Sequence, residues 1–162
     1  MKSHFKLLLS AGVLATSLGI QGAHAAKTRM TIALQLEPPH VAPTSAAAGA
    51  IDSVLYSNVF EGLTRFASDG AVIPGLAKSW EISEDGTEYI FHLNSAVTFH
   101  DGSTMDANDV KFSLDRARAE DSTNAQKALF SGIKNVEVLA SDKVHVTLAS
   151  PNGSFLFNMA WG

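Results

Sequence analysis

The sequence has 162 residues, 46% hydrophobic and 17% charged, with a formal net charge of −4; this suits one soluble domain or a piece of something larger and excludes disorder and collagen. Cysteine is absent, which excludes a disulfide framework, thiolate metal sites, a cysteine nucleophile and an acylated lipoprotein cysteine. Stability must come from core burial.

The first residues read as an export signal. Lys2, His4 and Lys6 make a positive start, Leu7 to Ile20 is an apolar stretch interrupted only by Ser10, Thr16 and Ser17, and Ala23-His24-Ala25 is a small-x-small cleavage pattern. Cleavage is expected after Ala25. The apolar run is shorter than the roughly 20 residues of a membrane span, and nothing later in the sequence could cross a bilayer. Removing the signal takes away Lys2 and Lys6 and no acid, so the mature chain is more acidic still. That charge argues against nucleic acid or an anionic membrane surface as partner. An exported chain without cysteine fits a bacterial periplasm, with no lipid anchor.

Residues Arg29 to Leu36 alternate, with Met30, Ile32, Leu34 and Leu36 on one face, and predict a half-buried strand. Glu37-Pro38-Pro39-His40 stops it, because two prolines remove two ladder donors. Thr44 to Ala50 leads into a helical pattern carrying Ile51, Val54, Leu55 and Val59, expected to cover a sheet and to end at Gly62. Leu63 to Phe66 is a short strand candidate, and Ser68-Asp69-Gly70 supplies a reversal.

A clearer hairpin follows. Ser79 to Ser83 and Glu88 to Leu93 flank Glu84-Asp85-Gly86-Thr87, and Trp80 and Ile82 are expected to answer Tyr89, Phe91 and Leu93 on an aromatic inner face. Val97 to His100 predicts another strand piece, closed by Asp101-Gly102. Asp106-Ala107-Asn108-Asp109 opens a helix: Asp106 can accept from early backbone donors, and a carboxylate at Asp109 opposes the helix dipole favourably. Val110, Leu114 and Ala117 lie along its buried stripe. Val136-Glu137-Val138 and Val144 to Leu148 surround Ala140-Ser141-Asp142-Lys143 as a further hairpin. No fixed-period repeat recurs.

Taken in order, these segments resemble the amino-terminal part of a family 5 extracellular solute-binding protein, the dipeptide, oligopeptide and nickel group that serves ABC importers. The likeness rests on residues 59–64 (Val-Phe-Glu-Gly-Leu-Thr), 73–81 (Ile-Pro-Gly-Leu-Ala-Lys-Ser-Trp-Glu), 85–93 (Asp-Gly-Thr-Glu-Tyr-Ile-Phe-His-Leu) and 97–102 (Val-Thr-Phe-His-Asp-Gly). It continues through residues 109–117. One departure is Val41-Ala42-Pro43, where family members usually show Leu-Asp-Pro.

The resemblance implies an α/β fold, with an α+β-like mixed sheet and hairpins, of the periplasmic-binding-protein type II kind and incomplete here. It divides the chain into a signal peptide (1–25), the first strand and loop of ligand-binding lobe I (26–45), a family-specific extra subdomain of helices and hairpins (46–150) and a truncated start of the return to lobe I (151–162). It also implies a function: a periplasmic component, monomeric when full length, that binds a small peptide or related solute and delivers it to ABC permease subunits in the inner membrane. Peptides, nickel chelates, opines and sugars are all served by relatives. The Glu37, Pro38, Pro39, His40 loop would approach the cleft, with Glu37 meeting a ligand's positive amino terminus or standing as a solvated strand end.

Phe155, Leu156, Phe157, Met159 and Trp161 crowd the last residues. Either a missing lobe covers them or they fold back over the hairpins. Uncovered, they would be a partner site for an independent interaction or chaperone-like module.

Catalytic and metal chemistry find little support. His40, His92, His100 and His145 lack i, i+3 or i, i+4 spacing, so no metal and no cofactor is expected. There is no Gly-x-Ser-x-Gly, Walker or His-Glu-x-x-His sequence, Asp85, Asp101, Asp106 and Asp109 have turn or capping explanations, and Trp80, Tyr89 and Phe91 read as core. An enzyme is not expected.

Overall fold

The computed structural model describes residues 31, 33, 55, 58–124 and 126–161. The chain divides into two units, Met1–Ala33 and Leu34–Gly162, and the architecture described belongs to the second. The expected signal and the Glu37 to His40 loop lie outside the described residues, and of the expected first strand only Thr31 and Ala33 are described, both exposed and neither in a strand. Of the expected helix around Ile51 to Val59, Leu55 is helical and buried, and its carbonyl accepts the amides of Val59 and Phe60, both at 2.9 Å.

Two antiparallel sheets follow. A short ribbon pairs β1 (Thr64–Phe66) with β2 (Val72–Pro74), turned at Gly70 with φ 84°. The main sheet comprises β3 (Ala77–Ile82), β4 (Glu88–Leu93), β5 (Ile133–Ala140) and β6 (Lys143–Leu148), in the order β3-β4-β6-β5. The two expected hairpins are therefore present, and they join through the β4–β6 pair, which sets Phe91 opposite Val144 and Tyr89 opposite Val146. The period of two puts Tyr89, Phe91 and Leu93 on the same face as Val144, Val146 and Leu148, and that face is the core.

The aromatic hairpin differs from expectation on one arm. Trp80 and Ile82 do stand opposite Phe91 and Tyr89, but Ile82 is 49% exposed and Trp80 only half-buried. β3 is an edge strand, and alternation assigns a side chain to a face without guaranteeing a cover over it. The strand expected over Val97 to His100 is reduced to a single bridge, Thr98 to Thr104, around a turn at Gly102.

Helix α1 (Ala107–Arg118) begins as expected. Asp106 has extended backbone and accepts the Asn108 amide at 2.7 Å, while Asp109 accepts the Asp106 amide at 2.8 Å, a reciprocal capping box. Three stripes at helical spacing have three tasks. Val110, Leu114 and Ala117 are buried in the core. Lys111, Asp115 and Arg118 form a charged clamp: Lys111 Nζ donates to Asp115 at 2.7 Å and to the Val136 carbonyl at 2.8 Å, and Arg118 Nη2 donates to Asp115 at 2.7 Å while Nη1 donates to the Ile133 carbonyl at 3.3 Å. The helix is thereby tied to β5. The third stripe, Asp109, Phe112, Ser113 and Arg116, faces away from both.

Short helices α2 (Lys127–Phe130) and α3 (Phe155–Asn158) complete the unit. The apolar tail folds back, so of the two alternatives the closed one holds for Phe155 and Met159, which are 1% and 2% exposed. Phe155 packs on Tyr89 with ring centroids 4.6 Å apart, and Thr64 Oγ1 donates to the Leu156 carbonyl at 2.7 Å. Gly62, expected as a helix terminator, instead permits a backbone crossing: a Cβ there would lie 2.4 Å from the Met159 carbonyl oxygen and 2.9 Å from Ala160.

Two outcomes are expected. Gly62→Ala has only backbone to push against and should destabilise the unit by about 3 kcal/mol, the upper range for overpacking, as read by urea unfolding. Burial pushes the Asp115 carboxyl up, but the hydrogen bonds and charges of Lys111 and Arg118 outweigh it and hold it below its ordinary 3.8. A carboxyl lowered in the fold stabilises above its unfolded value and loses that contribution as pH falls through the folded one. Asp115→Asn should therefore flatten the fall of stability below about pH 4, with the clamp's contribution small because the pair is partly solvated; an acid titration followed by circular dichroism reads the slope.

Candidate functional site

The described unit carries an open groove of about 1050 Å³, at the large end for small-molecule sites. Its floor is core seen from outside: Leu63, Leu76, Met105, Leu114, Phe130 and Met159. The third stripe of α1 makes one wall, because a helix anchored by two of its faces must present the remaining one. The Val97 to His100 turn and the segment from Asn58 to Gly62 make others, with Trp161 at the end of the tail.

The wall carries unusual apolar exposure. Phe112 is 64% exposed, Phe99 45% and Val59 44%, large side chains left toward solvent around one groove rather than scattered singly. Polar groups line the same groove. Arg116 and Asp121 are exposed, and Glu61, His100 and Asn124 line it too. Arg116 has no ion pair or hydrogen-bond partner among the described residues, which leaves a guanidinium able to accept a carboxylate in a fork. An apolar floor, aromatic walls and a few charges of both signs can hold a small zwitterionic molecule by its body and steer its ends.

Of the residues expected to bind ligand, Glu37, Pro38, Pro39 and His40 lie outside the described residues. The described histidines have structural neighbours instead. His92 Nε2 lies 2.7 Å from Glu81 Oε1, and His145 stands between Glu88 at 3.8 Å and Glu137 at 3.7 Å, all on the outer face of the main sheet. His100 is in the exposed turn at the groove. Among the described residues no cluster of three or more His, Cys, Asp or Glu is gathered to hold a metal.

The aspartates serve turns and caps. Asp85 accepts from Ser83 Oγ at 2.6 Å and from Thr87, and Asp101 accepts from Ser103 Oγ at 2.7 Å and its amide at 2.9 Å. These hydrogen bonds favour the ionised form and hold both carboxyls below the ordinary 3.8, as the Asn108 hydrogen bonds do for Asp106. Tyr89 is core, and burial raises its phenol.

The groove itself was missed in the sequence. Phe112 and Arg116 stand at i, i+4 outside the buried stripe of α1, a signal that could have found it. The tail does not form the apolar partner site weighed from sequence, since Phe155 and Met159 are core; Phe157, 45% exposed, packs against Phe66 at 4.5 Å.

Comparison with known proteins gives this geometry a context. Residues 71–160 match the bacterial extracellular solute-binding proteins, family 5. The glutathione-binding protein GsiB of Pectobacterium atrosepticum is 36% identical over 110 residues, 68% of this chain and 21% of that protein. The dipeptide-binding protein of Escherichia coli is 34% identical over 106 residues, 55% of this chain and 20% of that protein. The crystal structure of NikZ from Campylobacter jejuni in complex with Ni(L-His) superposes with a TM-score of 0.71 at 35% identity, covering 78% of this chain and 25% of that one. The fold is thus a mixed α/β portion of the type II periplasmic-binding-protein architecture, and the chain spans about a fifth of the length of the curated relatives it matches.

One outcome tests the groove as a surface rather than a core defect. Phe112→Ser should change stability by less than about 0.5 kcal/mol, because the ring is mostly in water already; a thermal melt showing a larger loss would mean that the ring packs where the groove now lies.

Proposed function

The chain belongs to the family 5 bacterial extracellular solute-binding proteins, and from this we propose that it serves as part of the periplasmic solute-binding component of an ABC importer, with small peptides as cargo. The observation that carries the reading is the family match over residues 71–160, joined to a groove whose apolar body and mixed charges suit a peptide. Glutathione and dipeptides, named in two relatives, are zwitterions of that kind.

In this reading residues 1–25 direct export and are removed after Ala25, and the mature chain, without cysteine, carries no lipid. Residues 26–45 belong to the first lobe, 46–150 form the extra subdomain and 151–162 begin the return. Glu37, at the end of the first strand, takes the cargo's ammonium group, with Pro38 and Pro39 holding the loop extended and His40 beside it, while Arg116 is available to its carboxylate. A second lobe closes on the monomer by a hinge motion, and the closed form docks on membrane permease subunits. No covalent step is involved. One wall without the other holds cargo weakly, since most of a ligand's surface must be buried for affinity.

Titration of the 162-residue chain with di- and tripeptides, followed by amide NMR shifts, tests this. Shifts at Phe99, Phe112, Arg116 and Trp161 with a dissociation constant weaker than about 1 mM are expected. Peptide shifts confined to other surfaces would defeat the groove's assignment, and saturable micromolar binding by this chain alone would defeat the shared cleft.

A further inference from the structure

Asn152 and Gly153 occupy the turn between β6 and α3, and Asn152 is the only asparagine in the sequence followed by glycine. Asn152 Oδ1 accepts the Ser154 amide at 2.9 Å, and the Asn152 main-chain carbonyl accepts the Phe155 amide at 3.0 Å. Among the described residues neither the Asn152 carboxamide nitrogen nor the Gly153 amide nitrogen has a hydrogen-bond partner. Gly153 is exposed, and apart from its two chain neighbours no heavy atom lies within 4 Å of where its Cβ would stand. Other asparagines differ: Asn108, Asn135 and Asn158 each donate their carboxamide nitrogen to an oxygen.

We propose that Asn152 is a site of spontaneous deamidation through a succinimide closed by the Gly153 nitrogen. Hydroxide takes the Gly153 amide proton, and the nitrogen attacks Asn152 Cγ. The new C–N bond forms as the Cγ–Nδ2 bond breaks, and ammonia leaves after taking a proton from water. The Ser154 N–H, already on Oδ1, stabilises the negative charge which that oxygen gains during attack, the role of an oxyanion donor. Glycine matters because a Cβ at 153 would obstruct the approach. Water then opens the ring at either carbonyl, giving aspartate or isoaspartate, and no oxidant or reductant enters.

Isoaspartate carries the main chain through Cβ and Cγ, adding a methylene to the turn and moving the carbonyl that held the Phe155 amide. That amide opens α3, which seats Phe155 on Tyr89 and brings the Leu156 carbonyl to Thr64. Deamidation is therefore a chemical route to loosening the returning segment, independent of how cargo is bound.

The purified 162-residue chain, held at mildly alkaline pH and physiological temperature, tests both parts. Peptide mapping by mass spectrometry with enzymatic isoaspartyl methylation should find the product at 152 forming about tenfold faster than at any other asparagine, and Gly153→Ala should slow it by about tenfold. That variant has open space for its methyl and an ordinary backbone angle, so it should fold. Equal rates at Asn152 and at Asn94 or Asn124, or no slowing by Gly153→Ala, overturn the site. Hydrogen exchange over residues 155–159 should quicken in the aged protein but not in fresh Asn152→Asp, which adds the charge without the methylene; equal protection in aged and fresh protein overturns the consequence.

Discussion

Everything in this unit depends on a place where three stretches of bare backbone touch. Gly62 lies against Met159 and Ala160, and a Cβ on Gly75 would stand 2.6 Å from the Gly62 carbonyl oxygen. Side chains at those positions would hold the strands apart. Without them, Leu63 and Gly62 carbonyls accept the amides of Gly75, Leu76 and Ala77, and the Thr64 amide reaches Met159. The incoming segment, the start of the main sheet and the returning segment are fastened together here by main-chain hydrogen bonds, to which the Thr64 hydroxyl adds one to the Leu156 carbonyl. Because the crossing joins residues around Gly62 to the returning segment, it also fixes the groove, whose incoming wall and closing tryptophan continue from the same two segments.

Features set by neighbours in sequence were the legible ones. The capping box of α1 needs only Asp106 and Asp109 within one turn, and both large hairpins are announced by alternation around polar turns whose residues hydrogen-bond locally, as Asp85 does with Ser83 and Thr87. Contacts between distant residues were not legible. The Thr64 to Leu156 hydrogen bond spans 92 positions, and nothing in the spacing of either segment announces the other. The tail was thus read as apolar and in need of cover, which is correct, while the source of the cover stayed open. The same limit explains Ile82: its face is encoded by the period of two, but its cover depends on where α1 and α3 dock, over β4, β5 and β6 rather than over the β3 edge.

Helix α1 shows how one short sequence keeps its two stabilising faces apart from an exposed third one. Its buried stripe and its charged clamp use two of the three faces that the 3.6-residue period provides. Asp115 is the middle of the clamp, and its two cations each reach onward to a carbonyl of β5, so the helix is held by groups that also occupy acceptors at the exposed margin of that strand. Phe112 and Arg116 then contribute little to folding. Neither the core nor the clamp sets their residue types, and under the proposed function an exposed aromatic beside a cation with no partner among the described residues is suited to meet what enters the groove.

The outer face of the sheet argues the converse. His92 and His145 are each met by carboxylates from adjacent strands, Glu81 for the first and Glu88 with Glu137 for the second. These are cross-strand pairs, the unit by which antiparallel sheets are stabilised, and together they link all four strands in order. At His145 the two carboxylates approach different ring nitrogens, Glu88 at Nε2 and Glu137 at Nδ1, and among the described residues no group of three or more His, Cys, Asp or Glu is gathered to hold a metal. Histidine and glutamate on this face therefore hold strands together, and the proposed ligand site lies instead where apolar surface, concavity and exposed charge coincide, on the side of the sheet that α1 covers.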